Sequence, residues 1–211
     1  MPEDIDITVD LTVFEPISAI DTCSIWNLHS SPRLLMAALE QKRWFVVAGY
    51  VRYEALEKPR KRPTMTELRM QAKFREHLAA KRGFSEAPVT VEDLEFVAAS
   101  QDARRLGHGE IAALALARHL RCALLTDDQG ARKVAPKVGV APAQTTPQLF
   151  GWLVYERSLT DGDAQTVISQ HEAEIEANRG RLTAYLRAMY EEACRRRLLR
   201  DWHGSEQSQT G

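Results

Sequence analysis

The sequence is poor in several features that mark large protein classes. It holds three cysteines in 211 residues, Cys23, Cys122 and Cys194, widely spaced along the chain. With no C-x-x-C pair and no cysteine–histidine cluster, neither a zinc site nor a disulfide framework is expected. Cys23 and Cys122 sit in apolar runs, where a thiol behaves as a small hydrophobe. No apolar run approaches the ~20 residues that a bilayer-spanning helix needs, so no membrane association is expected. Glycine (11) and proline (9) are too few for a collagen-like or low-complexity chain. Charge of one sign is missing too. The 28 basic and 29 acidic side chains leave a formal net charge of -1, so any nucleic-acid-binding surface must be local. The first acidic residues, Glu3, Asp4 and Asp6, are the reverse of a signal peptide, and a cytoplasmic location is the simplest expectation.

What is present is ordinary globular material, 44% hydrophobic and 27% charged, enough for one sizeable core with or without a small appendage. Ile17 to Ile20 reads as a buried strand that ends abruptly at Asp21-Thr22. Pro32 fits the first turn of a helix capped by Ser30 or Ser31. Trp44 to Ala48 is a second strand, rich in β-branched and aromatic residues. A helix from Tyr50 to Leu56 follows, then a basic loop, Pro59-Arg60-Lys61-Arg62-Pro63, and a charged helix from Thr64 to Lys81 with Gly83 as its stop. Val89 to Val91 offers a short strand, although Thr90 to Asp93 also carries a capping-box-like start for a helix over Leu94 to Ala99. Gly107-His108-Gly109-Glu110 opens the clearest helix, Ile111 to Leu120. Cys122 to Thr126 is then a strand ending at Asp127-Asp128, followed by a helix over Gly130 to Val138, the turn Gln144 to Pro147 and a helix over Leu149 to Arg157.

Alternating strands and helices predict an α/β protein with a mainly parallel sheet. After Asp161-Gly162-Asp163 the composition changes. Val167 to Arg200 reads as one long or one broken helix with Ile168, Ile175, Leu182, Leu186, Met189 and Leu198 as its apolar members, and it ends in Arg195-Arg196-Arg197 and Arg200. The expected division is a core over residues 1–160, a helical extension over 161–203 and a polar, disordered tail over 204–211.

In a parallel sheet, functional groups gather at the carboxyl ends of strands. Asp21 and Asp127 fall there. Each acid alone has a plain structural account. Asp21 and the Asp127-Asp128 doublet precede helices and serve as caps, Glu110 suits the first turn of any helix, and Glu54 suits a solvated helix face. Together they would form a like-charged pocket that is unfavourable unless a cation neutralises it. Oxygen donors without cysteine or histidine suit Mg²⁺ or Mn²⁺, and such ions activate water for phosphodiester hydrolysis.

A family resemblance rests on these same segments. Ala19-Ile20-Asp21-Thr22-Cys23-Ser24-Ile25 resembles the first-strand signature of PIN-domain proteins. Gly107-His108-Gly109-Glu110 with the apolar residues after it resembles their central Gly-x-Gly-Glu helix start. Leu125-Thr126-Asp127-Asp128-Gln129-Gly130-Ala131-Arg132-Lys133-Val134-Ala135 is similar to an Asp-Asp/Glu-x-x-x-Arg-x-x-Ala block of the toxin-like ribonuclease subgroup, and Thr145-Thr146 followed by Leu149 to a later Thr-x-x-x-Leu block. The ordered set spans roughly Ile17 to Leu159.

The resemblance implies a compact three-layer α/β/α sandwich and a Mg²⁺- or Mn²⁺-dependent endoribonuclease. Asp21, Glu110 and Asp127 match the family's acidic positions, Asp128 replaces or assists Asp127, and Glu54, ahead of Glu57, is the second acid. Thr22 and Thr126 stand where they would orient water or phosphate, or only close a strand end. Arg60, Lys61, Arg62 and Arg132 are candidates to steer an RNA backbone, against solvated surface for the loop residues and an ion pair with Asp128 for Arg132. His108 is either an acid/base group or loop decoration. Toxin-like members imply a small antitoxin partner and a homodimer. The stretch 59–100 is longer than the family pattern and reads as a charged helical insertion, and the segment after Asp161 is extra.

Two other functions compete. A phosphoryl receiver would need an acidic pair near the first strand and a lysine after a late strand, and here the doublet comes late. A non-catalytic PIN-like nucleic-acid-binding or protein-interaction module would make the basic C-terminal helix the working part.

Overall fold

Five short strands, β1 (Ile17–Ile20), β2 (Trp44–Ala48), β3 (Phe84–Ala87), β4 (Ala123–Leu125) and β5 (Ala143–Gln144), pair side by side in the order β3-β2-β1-β4-β5. Every pairing is parallel. The computed structural model describes residues 9–60, 62–174 and 180–209. It divides into two compact units, Glu15–Thr146, which holds the sheet, and Met1–Phe14 with Pro147–Gly211.

The central strands are buried almost throughout: Ala19, Ile20, Phe45, Val47, Leu124 and Leu125 are fully enclosed. A parallel sheet with such strands must be covered on both faces. The connecting helices supply the cover: α1 (Thr22–Ser30), α2 (Pro32–Glu40), α3 (Gly49–Leu56), α4 (Met65–Ala79), α5 (Val91–Ala99), α6 (His108–Leu120) and α7 (Gln129–Val134). Crossovers between parallel strands are right-handed. The path from β1 through β2 to β3 therefore lays α1, α2 and α4 on one face. The return across the sheet to β4 and β5 lays α5, α6 and α7 on the other. Contacts follow this division: α1 meets α2 and α4, whereas α6 lies over β1, β2 and β4 and is flanked by α5 and α7. The α/β/α sandwich expected from the sequence is the architecture found.

Local chemistry sets the ends of these helices. Asp21 caps α1 by accepting the Ser24 amide at 2.7 Å, and Ser31 caps α2 with Pro32 in its first turn. Thr64 and Glu67 form a reciprocal capping box on α4. Gly83 stands at φ +71°, and a Cβ there would fall 2.0 Å from Leu39 Cδ2, so the turn into β3 requires glycine.

Three expectations change. The third strand is Phe84–Ala87, not Val89 to Val91, because Phe84 pairs in register with Phe45 and packs on Phe74. Thr90 instead accepts the Asp93 amide at 3.1 Å and starts α5. The helix expected over Gly130 to Val138 is α7 followed by a 3₁₀ turn, Ala135–Val138, since Pro136 has no amide to donate. A fifth strand, Ala143–Gln144, was not anticipated.

The second unit holds α8 (Thr146–Tyr155, from its second residue on), α9 (Asp161–Glu174) and α10 (Gly180–Gln209). Leu186, Met189 and Ala193 are the buried side of α10. Glu192 on that helix is held by Arg195 and Arg196, which bring its carboxyl down to about 2. The span expected as one long or one broken helix is the broken form, α9 and α10, and α10 runs helical to Gln209, through most of the stretch expected as a disordered tail. Ile175 lies outside the described residues, as do Glu3, Asp4 and Asp6. Among the described residues no helix is long and apolar enough to cross a membrane.

Candidate active site

In a sheet ordered 3-2-1-4-5, the chain leaves β1 toward one face and β4 toward the other, which opens a crevice between their carboxyl ends. Asp21 follows β1 directly, and Thr126 and Asp127 follow β4. The backbone ties these ends together, with the Asp21 amide donating to the Leu125 carbonyl at 3.3 Å.

Asp21 is 1% exposed. One carboxyl oxygen accepts the Ser24 amide and the other accepts the Thr126 hydroxyl. Burial pushes its carboxyl up to about 7, and the nearby Asp127 charge adds to the rise, against the pull of those two donors. Asp127 is more open and more heavily held. Its Oδ2 accepts Asn27 Nδ2 at 2.7 Å and the Thr146 hydroxyl at 2.6 Å, with Ser24 Oγ at 3.5 Å. Its Oδ1 accepts the Thr146 amide at 2.8 Å. Asp128 does different work: it caps α7 by accepting the Ala131 amide at 2.7 Å, so the doublet divides between the crevice and a helix start.

A second group gathers at the start of α6. Glu54 on α3 accepts the Thr22 hydroxyl at 3.2 Å and Lys58 Nζ at 3.0 Å. It can come this close only because position 109 is glycine. A Cβ on Gly109 would stand 2.2 Å from Glu54 Oε2 and 3.4 Å from Thr22 Oγ1. Gly107 similarly leaves room for the Glu110 carboxylate, which folds back over the helix start at 2.5 Å from where its Cβ would be. Glu110 therefore sits in the first turn, where exposed amides favour a negative group.

Cys23 links the two groups. Its thiol is pushed up to about 12, by burial first and then by the charges of Asp21, Asp127, Asp128 and Glu110, so all four acids reach it. The residue is nonetheless exposed, contrary to the small-hydrophobe expectation, because α1 turns it toward the crevice rather than the core.

The donors around the acids are hydroxyls and amides. Among the described residues, Asp21, Glu110, Asp127 and Asp128 have no lysine or arginine within ion-pair distance, and only Glu54 does. The available ligands are hard oxygens, and the one sulfur is kept as a thiol, a set that suits Mg²⁺ or Mn²⁺. Asp21 and Asp127 retain acceptor capacity beyond the bonds above. As the side chains stand, no group of three or more His, Cys, Asp or Glu among the described residues is closed to metal-ligand spacing.

The basic candidates scatter. Arg60 is paired with Glu67 at 2.6 Å and lies over the Trp26 ring, Arg62 is exposed, and Lys61 is outside the described residues. Arg132 forms no ion pair with Asp128, and its Nε is buried without a partner. His108 packs on Tyr50, with ring centroids 5.4 Å apart. Glu57 is bonded to Arg52. The residues that sequence reasoning left without a role are Ser24, Asn27 and Thr146, the donors that fix Asp127. Asn27 had a signal: an amide side chain in mid-helix among apolar neighbours is poor helix material and needs another purpose.

No family model matches the chain, and no curated protein or solved structure matches it.

Proposed function

We propose that this protein is a Mg²⁺- or Mn²⁺-dependent endoribonuclease of the PIN-domain kind, cleaving RNA at the crevice between β1 and β4. One observation carries the proposal. Asp21 and Asp127 meet at the topological switch point of a parallel sheet, held by neutral donors and, among the described residues, with no lysine or arginine within ion-pair distance. An acid buried this way costs stability, and a purely structural cap would not need it.

Asp21, Asp127 and Glu110 would hold the cation, with Glu54 beside them. When bound, the ion would supply charge stabilisation and a more acidic water for phosphodiester hydrolysis. The chain's own residues prepare that chemistry. Thr126 and the Ser24 amide fix the Asp21 carboxyl in one orientation, and Asn27 with Thr146 does the same for Asp127. Thr22 positions Glu54 against the start of α6. Arg132, with no ion-pair partner among the described residues and one turn beyond Asp128, is the cation best placed along the chain to meet a phosphate. A toxin role with a small antitoxin, homodimer formation and a cytoplasmic location belong to the same proposal through the sequence resemblance.

The test is cleavage of varied single-stranded RNAs with Mg²⁺ or Mn²⁺ by wild type, Asp21→Asn, Asp127→Asn and Glu110→Gln. Wild type should cleave, and each variant should lose at least about 100-fold, the scale of removing a group that stabilises transition-state charge. Equal cleavage by all four proteins, or none by wild type, overturns the proposal.

A further inference from the structure

Beside the acids lies a cavity of about 820 Å³ that the cleavage chemistry does not use. It opens at the carboxyl ends of β2 and β3, the same edge of the sheet as the crevice, and is lined by Ala48 and Ala87 from those strands. Its floor is apolar, with Leu94, Ile111 and Ala112. Two rings stand in its wall, Tyr50 and His108, with centroids 5.4 Å apart and planes inclined at 50°. Its polar groups include two carboxylates, Glu86 and Glu95, and no lysine or arginine lines it.

Cavity and acids share two helices. Tyr50 and Glu54 are four residues apart on α3, hence just over one turn, or about 6 Å of rise, on the same side. His108 and Glu110 both lie in the first turn of α6. A nucleotide strand with a phosphate at the acids would thus have a neighbouring base at the cavity.

We infer that this cavity is a nucleobase subsite with a preference for guanine, a conclusion that rests on the cleavage reading for the placement of the phosphate. The lining disfavours a phosphate, because Glu95 presents a carboxylate with no ion-pair partner among the described residues and no lysine or arginine stands in the wall to draw an anion. It accepts a flat, apolar ring system with N–H donors on its edge. Aromatic side chains stack on bases of any sequence. The edge then discriminates. Glu86 is engaged by Arg52 at 3.2 Å, whereas Glu95 is exposed and has no ion-pair partner among the described residues. An ionised carboxylate only accepts hydrogen bonds. Guanine offers it two parallel donors, N1–H and N2–H. Adenine and cytosine offer one amino group beside a repelling acceptor, and uracil offers one N–H between two carbonyls.

The test measures nucleoside binding to the full chain in chelator, by calorimetry or ligand-observed NMR, so that neither cleavage nor the phosphate contributes. Guanosine should bind at least about tenfold more tightly than uridine. Tyr50→Ala should weaken guanosine by roughly tenfold, as loss of one stacking platform does, while Tyr50→Phe retains it and circular dichroism shows both variants folded. Glu95→Gln should abolish the preference for guanosine over uridine. Absence of binding by every nucleoside, unchanged guanosine affinity in Tyr50→Ala, or an undiminished guanosine preference in Glu95→Gln overturns the inference. Guanosine binding with no RNA cleaved would leave the subsite and remove the nuclease, whereas RNA cleavage with no nucleoside bound would do the reverse.

Discussion

Acidification should destabilise the sheet unit through one histidine, His29, whose contribution is isolated by comparing wild type with His29→Phe. His29 is 3% exposed on α1 and packs against Phe74 on α4 and Phe84 on β3. Its Nδ1 donates to the Ile25 carbonyl at 2.8 Å, which leaves Nε2 as an acceptor facing His77 Nδ1 at 3.3 Å. The neutral ring is satisfied on both nitrogens. The charged ring is not tolerated: burial lowers its pKa from 6.5 to about 4, and the charges of His77 and Lys73 on α4 push the same way, against the Ile25 carbonyl. A histidine with a lowered folded pKa binds its proton more readily in the unfolded chain. Stability is therefore complete above pH ~6.5, falls as pH drops toward ~4, and loses no more below that. The linkage is worth about 2 kcal/mol at pH 5 and about 3 kcal/mol at pH 4.

His29→Phe keeps a ring in the aromatic cluster and cannot be protonated. The Ile25 carbonyl keeps its helical amide, and His77 is only half-buried, so the variant should lie within about 2 kcal/mol of wild type at pH 8. Urea unfolding followed by amide exchange in β1 and β2 reads the unit that holds His29. From pH 8 to pH 5, wild type should lose about 2 kcal/mol more than the variant, roughly 1 M in urea midpoint. Asp21 titrates over part of this range with opposite sign, but both proteins carry it and its effect cancels in the difference. Equal losses in the two proteins would refute the reasoning.

Four other outcomes are expected. In chelator at pH 8, Asp21→Asn should be more stable than wild type by up to about 4 kcal/mol, because a carboxyl raised from 3.8 to about 7 costs stability as pH rises through that window; a variant less stable than wild type would contradict this, and the gap should close near pH 4. Gly109→Ala should stay within about 1 kcal/mol of wild type in thermal melts yet abolish cleavage, since its Cβ would stand 2.2 Å from Glu54 Oε2 and displace that flexible carboxylate end from Thr22, and Gly107→Ala, which displaces the end of Glu110 in the same way, should be as mild in stability. Asn27→Leu and Thr146→Val each remove a donor to Asp127 and should lower cleavage by roughly 10–100-fold, as lost outer-shell partners do, with the thermal midpoint recorded alongside. Cys23 should react with alkylating agents at pH 8 tens of times more slowly than an ordinary thiol despite its exposure, measured by peptide mass spectrometry, because its thiol is pushed up to about 12 and the scarcity of thiolate outweighs that thiolate's greater nucleophilicity.

The strands β1, β2 and β4 are legible because each is a short, mainly apolar run, with Ser18 its one polar member, that stops at a polar residue or a glycine, and the parallel sheet follows from their alternation with helices. β3 was not: Phe84-Ser85-Glu86-Ala87 has a charged residue and one large apolar side chain, and it is a strand because Phe84 meets Phe45 and Phe74, contacts that arise only in the fold. β5 was missed because two residues carry no periodicity. At the site, Asp21 and the Asp127-Asp128 doublet stood out by position, but their division of labour depends on Asn27 and Thr146, which lie 100 and 19 residues from Asp127 in the chain. Local pattern cannot supply a hydrogen bond of that span. Gly109 is a partial exception: a glycine two residues into a helix is an expense that only a close approach explains.

That expense and the one at Asp21 have the same direction. A chain selected for stability alone would place alanine at 109, which favours the helix, and a neutral cap at 21, which avoids a buried charge. Both substitutions would leave the sheet standing, and alanine at 109 would push the Glu54 carboxylate away from Thr22 and the start of α6. The fold instead retains both the glycine and the acid, and stiffens the Asp127 carboxylate with three neutral residues, Ser24, Asn27 and Thr146, where one arginine would have stabilised it more simply. A binding module that used this edge only for shape would gain from the arginine. A site that must leave its negative charge available to a cation would lose by it, and the absence of lysine and arginine around Asp21, Asp127 and Glu110 among the described residues is the arrangement such a site requires.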